Sequence, residues 1–294
     1  MSESKNISNC KNANLMRSAV WAAFFVTIAL IVMKFWAYNT TSSLSIFSSM
    51  VDSMLDGITA IINIVVVKYS LKPPDEKHKF GHGKAEDIAG LAQSALIGFS
   101  AFFIVSKAIV RLMNPVPLEN SASGIAVMAG SILMVGMLIL LQRYVVKKTK
   151  SSIIKADNLN YTADLLVNIA TIISIAISSY GFYYADPIFA ILIAGYMLFG
   201  AWKIGVFSFQ RLVDGEIPEK QNKKIVSIVL SNEGVKGIHD LKTRRSGLID
   251  FIQFHLEMDG NLTLNEAHDI SDTVEQSLKK DFPSSDIVIH EDPA

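Results

Sequence analysis

Over the first two thirds of this chain the apolar residues come in long runs rather than in alternation. Six stretches, near residues 18–38, 44–69, 88–112, 122–146, 153–181 and 186–209, are each long enough for the roughly 20 residues that a helix needs to cross a bilayer. Six crossings bring the chain back to the side on which it began. The connections are unequal in charge. Lys72, Lys77, Lys79 and Lys84 lie between the second and third stretches, and Arg143, Lys147, Lys148, Lys150 and Lys155 between the fourth and fifth. The opposite connections, around Tyr38 to Ser43, Asn114 to Ser121 and Tyr180 to Asp186, contain no Lys or Arg. By the positive-inside rule both termini and the basic loops are expected to be cytoplasmic. Residues 1–15 are polar, carry Lys5 and Lys11 and lack a small-residue cleavage site, so they are read as a cytoplasmic tail and not as a signal peptide.

From about Asp214 the pattern changes, and helix-like and strand-like periods alternate over ~80 residues, enough for one small soluble domain. The periods predict a helix over Glu219 to Ser231, a strand over Ile238 to Arg245, a turn at Ser246-Gly247, and a strand over Asp250 to Met258. A helix over Leu264 to Asp281 and a strand over Asp286 to His290 follow. Thr263 and Glu266 form a capping box at the head of the second helix, and Pro283 follows its end. An αββαβ order places helices on one face of a small sheet. The expected division is therefore a tail (1–15), a six-helix transmembrane domain (16–211) and a cytoplasmic domain (212–294).

Composition supports a membrane setting and removes other classes. Half of the 294 residues are hydrophobic and 18% are charged, against roughly 25% charged in an average soluble domain; the mean hydropathy is +0.35. The 27 basic and 27 acidic residues cancel, so there is no global field to hold nucleic acid. The single cysteine, Cys10, can form neither an internal disulfide nor a CxxC motif. A metal site would have to use His, Asp, Glu or Asn. No phosphate loop, GxSxG or HExxH occurs, and the chain is read as not an enzyme.

The second apolar stretch holds Asp52 and Asp56, four residues apart and so on one helical face. Charged groups at membrane depth are costly and mark ion or proton paths. The fifth stretch offers a matching row at successive steps of four, Asn160, Asp164 and Asn168. If the two rows face each other, three carboxylates and one amide surround a point suited to a divalent cation. Acids can also tie helices together by hydrogen bonds, but hydroxyls and amides do so at lower cost; for Asn160 alone that simpler role stays open. In the loop after the second stretch, Asp75, His78 and His82 could close on one metal, since imidazole and carboxylate are common ligands of first-row divalent ions. A solvated loop with two chance histidines fits the spacing as well, and the glycines flanking His82 permit a tight turn without any metal. In the C-terminal region a lone histidine would be most simply a packed or exposed side chain. Four of them, His239, His255, His268 and His290, with Asp292 closing a His-x-Asp, on adjacent strands and a neighbouring helix, point to metal.

The runs SSMVDSMLDGITA, PDEKHKFGHGKAE and KADNLNYTADLLVN, with the tail segments GIHDLKTRRSG, IQFHLEM, AHDISD and IVIHEDP, resemble the cation diffusion facilitator family over nearly the whole chain. The similarity is to its bacterial zinc and ferrous-iron efflux branch. The resemblance implies a homodimer in the lipid bilayer of a cell inner (plasma) membrane, six transmembrane helices per protomer, a ferredoxin-like α+β cytoplasmic domain, and export of divalent metal in exchange for protons. It assigns Asp52, Asp56 and Asp164 to a transport site and Asp75, His78 and His82 to a loop site. His239, His255, His268, His290 and Asp292 fall to a two-metal cluster at the cytoplasmic dimer interface, where the ions are structural or regulatory. One position departs: the transport-site histidine of zinc-transporting members is Asn160 here. The cargo is accordingly expected among Zn²⁺, Fe²⁺ and Mn²⁺, with the amide favouring the harder ions. Lys84 matches a position associated in the family with dimer contacts. A membrane-anchored metal sensor or scaffold that does not transport is the alternative.

Overall fold

The computed structural model describes residues 2–41, 44–113, 122–178 and 184–294. The three connections expected on the outer side lie partly or wholly outside the described residues. Six long helices come first: α1 (Ser2–Thr41), α2 (Leu44–Ser70), α3 (Lys84–Met113), α4 (Ala122–Thr149), α5 (Ser152–Ser178) and α6 (Ala185–Leu212). Then follow α7 (Glu219–Leu230), β1 (Gly237–Ser246), β2 (Ile249–Met258), α8 (Leu264–Asp281) and β3 (Ser285–Pro293). The αββαβ order and the helix starts at Glu219 and Leu264 agree with the sequence reading. Helix α1 differs, because it runs back through the segment expected as a tail; neither glycine nor proline interrupts the first 41 residues to stop it.

Contacts divide the chain into two units: Asn14–Tyr69 with Ala85–Phe209, and Met1–Ala13 with Ser70–Lys84 and Gln210–Ala294. In the membrane unit, α1, α2, α3, α4 and α6 are long and apolar enough to cross a bilayer. Helix α5 is diluted by Asp157, Asn158, Asn160 and Asp164 in its first half and by Asn168 just beyond its middle. Large apolar side chains point outward, as they do in lipid: Trp36 is 70% exposed, Phe99 71% and Trp202 73%. The interior uses small residues to bring helices close. Ala101 of α3, Ala156 and Ala163 of α5, and Ala194 and Ala201 of α6 share one cluster with Ile97, Leu159, Ile193, Met197 and Ile204. Glutamate 86 accepts the backbone N–H of Ser152 at 2.7 Å, and Asp87 accepts its hydroxyl at 2.6 Å, so two acids of α3 hold the head of α5.

The second unit is built on a sheet ordered β1-β2-β3, with β1 antiparallel and β3 parallel to the central β2. The parallel pair needs a crossover, and α8 supplies it. Alternation on β2 separates two faces. Ile252, Phe254, Leu256 and Met258 pack with Ile225 and Val229 of α7 and Val274 and Leu278 of α8. The odd-numbered residues Phe251, Gln253, His255 and Glu257 are left for the other face. Thr263 accepts the N–H of Glu266, whose carboxylate accepts the N–H of Thr263, so the capping box is present. We expect Phe254→Ala, which empties the centre of this core, to destabilise the unit by about 3–5 kcal/mol in chemical denaturation.

Candidate metal centres

Among the described residues, two groups of side chains have ligand atoms that all lie within 4.8 Å of one another: Asp75, His78 and His82, and His239, His255 and Asp292. Both belong to the unit that contains the sheet.

The first is organised by Asp75. Its Oδ1 accepts the backbone N–H groups of Lys77 (3.1 Å) and His78 (2.8 Å), which closes the loop around the carboxylate. His78 Nδ1 lies 3.0 Å from the same oxygen, and His82 Nε2 lies 3.3 Å from Oδ2. The two imidazole rings are 4.5 Å apart, centre to centre. The backbone N–H of His78, its ring, the Lys72 ammonium and the N–H of Lys77 together hold the Asp75 carboxyl far below the usual carboxylate range. A carboxylate facing two imidazoles offers donor atoms of the kind that first-row divalent cations take. The flanking glycines do different work. Gly81 has φ +78°, a left-handed turn conformation. Gly83 has another reason: a Cβ there would meet the backbone of Ser246 and Gly247 at 2.6 Å, so glycine lets the loop approach the β1-β2 turn. Phe80 completes this attachment by packing edge-on against Phe251 at 5.6 Å, with the Arg244 guanidinium over both rings. Lys84 donates to Asp214 Oδ1 at 2.7 Å and to the Leu212 carbonyl at 3.0 Å, while Arg244 reaches the same carboxylate at 3.2 Å.

The second group follows from strand register. His239 of β1 stands opposite His255 of β2, and His255 opposite His290 of β3, which makes a row of imidazoles across the sheet. Ring centres are 5.0 and 4.6 Å apart. Asp292 closes the row, with Oδ2 at 2.8 Å from His255 Nδ1 and 3.3 Å from His239 Nε2, and Oδ1 at 3.4 Å from His290 Nε2. The hydrogen bond from His255, reinforced by the neighbouring imidazoles, holds the Asp292 carboxyl below its ordinary range. His268 stands apart from the three grouped ligands; it is exposed on α8, with Asp272 at 3.9 Å. Two carboxylates escaped the sequence reading. Glu257 accepts from His239 Nδ1 at 2.7 Å, and it could have been found two residues beyond His255 on the same strand face. Asp240 lies 3.8 Å from His255 Nε2 because the ladder bulges after His239 and Asp240 takes φ +51°. Nothing in the residue spacing signals that bulge.

In the membrane unit the two polar rows do meet. Asn160 Nδ2 of α5 donates to Asp56 Oδ1 of α2 at 3.2 Å. Asp56 and Asp164 are half-buried, and Asp52 is exposed on α2. Among the described residues these three acids do not form a further close group. Lys34 of α1 was hidden inside an apolar stretch. It is buried, donates to the Ser49 carbonyl (3.0 Å) and the Ser53 hydroxyl (2.7 Å), and interacts electrostatically with Asp56, Asp164 and Asp52. The buried Asp157 of α5 accepts from Asn63 of α2 at 2.9 Å and from Gln142 of α4 at 2.6 Å. It lies three residues before Asn160, off the row of fours that directed attention to Asn160, Asp164 and Asn168.

Comparison with known proteins gives a consistent result. The family model for the cation efflux transmembrane domain matches residues 20–213, and that for the cation efflux protein cytoplasmic domain matches 217–294. The chain is 41% identical to the cation-efflux pump FieF of Klebsiella pneumoniae subsp. pneumoniae over 97% of this chain and 95% of that protein. It is 43% identical to the FieF of Cronobacter sakazakii over 95% of this chain and 93% of that one. Among solved structures, the CzrB chain in its Zn form is similar at 32% identity over 26% of this chain and 90% of that chain, with a TM-score of 0.26.

The Asp214 ion pairs carry a pH signature. The Lys84 hydrogen bond, with Arg244 beside it, holds the Asp214 carboxyl below its ordinary value. The contribution is therefore complete above the unfolded value of about 3.9 and fades as pH falls through the lower folded value. We expect Asp214→Asn to lower the melting temperature at pH 7 and the difference to shrink near pH 3. At this half-exposed site each pair is worth at most ~1 kcal/mol; an equal difference at both pH values would contradict the assignment.

Proposed function

The chain belongs to the cation efflux family, and on that footing we propose that it exports divalent metal from the cytoplasm in exchange for protons, as a homodimer, by alternating access. The observation that carries the reading is the meeting of two oxygen-bearing helix faces at membrane depth, fixed by the hydrogen bond from Asn160 to Asp56. Acids held there at high cost are explained by an ion that binds them. With the site open to the cytoplasm, Asp52, Asp56 and Asp164 take up the metal and give up protons, because ligands must be deprotonated to coordinate. On the other side protons return to the carboxylates and release it. Lys34 stands within electrostatic reach of all three acids and belongs to the same polar cluster. Asp75, His78 and His82 form a loop site. His239, His255, His290 and Asp292 form a cytoplasmic cluster, completed by His268 in the dimer, that senses the metal level by binding one conformation better than another. The Lys and Arg of the connections support a cytoplasmic position for this cluster and both termini.

Cargo selectivity follows from Asn160. An amide oxygen beside three carboxylates makes an all-oxygen shell, which favours Mn²⁺ or Fe²⁺ over Zn²⁺ relative to a site with imidazole. Replacing imidazole by the amide also removes one group that could titrate near neutral pH. The test is flux into proteoliposomes, with Zn²⁺, Fe²⁺ and Mn²⁺ assayed in parallel at fixed pH. Asp164→Ala should abolish flux of every metal, whereas flux equal to wild type would favour the sensor. Asn160→His should raise the Zn²⁺ to Mn²⁺ ratio about tenfold, equivalent to ~1.4 kcal/mol of differential binding. An unchanged ratio would assign selectivity to helix packing instead.

A further inference from the structure

The membrane unit carries a cleft that the transport reading does not use. It has a volume of about 320 Å³, within the roughly 300–1,000 Å³ of small-ligand sites. Arg143, Val146, Lys147 and Lys150 line it from the end of α4 and the turn that follows, Lys155 and Asn158 from the start of α5, and Phe207 from α6. Four cations thus converge with no carboxylate in the lining. Lys150 adopts φ +58° and donates its N–H to the Val146 carbonyl at 2.9 Å, a tight reversal that swings Lys155 round beside the end of α4. Lys155 is half-buried, stands over the Phe207 ring at 4.8 Å, and lies within electrostatic reach of both Lys150 and Lys203.

The positive-inside bias requires only that lysines be present at this end of the helices, and side chains splayed into water would satisfy it. It does not require three elements to aim like charges into one recess, where they repel. The recess also has an apolar side, made by Val146 and Phe207. Leu140, which is 67% exposed, lies one turn before Arg143 and two before Lys147 on the outer surface of α4. The cationic recess therefore opens along a helix surface of the kind that faces lipid.

We propose that this cleft binds the headgroup of an anionic phospholipid, with its acyl chains lying along the outer face of α4. Phosphate oxygens meet the Arg143 guanidinium and the three ammonium groups, and Phe207 and Val146 take the glycerol backbone. Four cations match two phosphates better than one, so diphosphatidylglycerol is preferred to phosphatidylglycerol, and both to the zwitterionic phosphatidylethanolamine. Asn158, in the cleft wall, donates to the Ile139 carbonyl at 3.1 Å and to Gln142 Oε1 at 3.3 Å; the bound lipid thereby braces α4 against α5 beside the Asp157 network. Only the choice of leaflet rests on the orientation proposed above, and lipid retention is measured without metal flux.

The experiment is native mass spectrometry of the full chain in neutral detergent with each of the three lipids, alone and with inorganic phosphate as competitor. Wild type should retain diphosphatidylglycerol at least about tenfold more than phosphatidylethanolamine. Lys147→Gln with Lys150→Gln and Lys155→Gln should reduce retention to the phosphatidylethanolamine level. The corresponding three Lys→Arg changes should preserve it, as should Lys220→Gln with Lys223→Gln and Lys280→Gln, which remove equal charge elsewhere. Retention by the first variant, equal loss in the Lys220, Lys223 and Lys280 variant, loss in the Arg variant, or displacement of the lipid by millimolar phosphate would each overturn the proposal.

Discussion

A carboxylate at membrane depth must find its partners within the protein, and the first half of α5 shows what that demands. Asn160 donates to Asp56 of α2, Asp157 accepts from Asn63 of α2 and Gln142 of α4, and the hydroxyls of Tyr161 and Thr27 of α1 pair at 2.8 Å. Lipid offers no hydrogen bonds, so a member of such a network left unpaired against it would cost several kcal/mol. Helix α5 is therefore confined to the interior. In the cluster it shares with α3 and α6 its contacts are apolar instead, and the alanines there let those helices pack closely against it. The site and the packing are one problem: the polar row that can hold an ion is the row that must be enclosed.

The soluble unit solves a different problem with strand alternation. One face of β2 is spent on the core with α7 and α8, which frees the other face for chemistry. Register then carries His239, His255 and His290 into line, and Phe251, earlier on the same face, receives Phe80 of the loop that holds Asp75, His78 and His82. Both groups of candidate ligands thus lie in one unit, on elements whose positions the sheet determines.

Much of this was legible in the residues because it is periodic. The αββαβ order, the capping box at Thr263 and Glu266, and the steps of four through Asp52, Asp56, Asn160 and Asp164 are local patterns with fixed geometric meaning. What escaped depends on packing across the fold. A single Lys34 in an apolar run reads as an interruption until α2 is seen to supply Ser49 and Ser53. Asp157 breaks the row of fours and gains meaning only from Gln142 on another helix. Asp240 reaches His255 through a bulge, and Gly83 is required by a backbone that lies far along the chain. That α1 begins at Ser2, inside the segment read as a tail, could not be told from the polarity of those residues, since no glycine or proline separates them from the apolar run.

The central claim is that the carboxylates of α2 and α5 bind the cargo, separately from the loop and the sheet. Equilibrium dialysis of the full chain against Mn²⁺, comparing wild type with Asp56→Asn combined with Asp164→Asn, tests it most directly. The account predicts that the double variant loses one ion per protomer and keeps those bound by the histidine groups. An unchanged number of bound ions would contradict it.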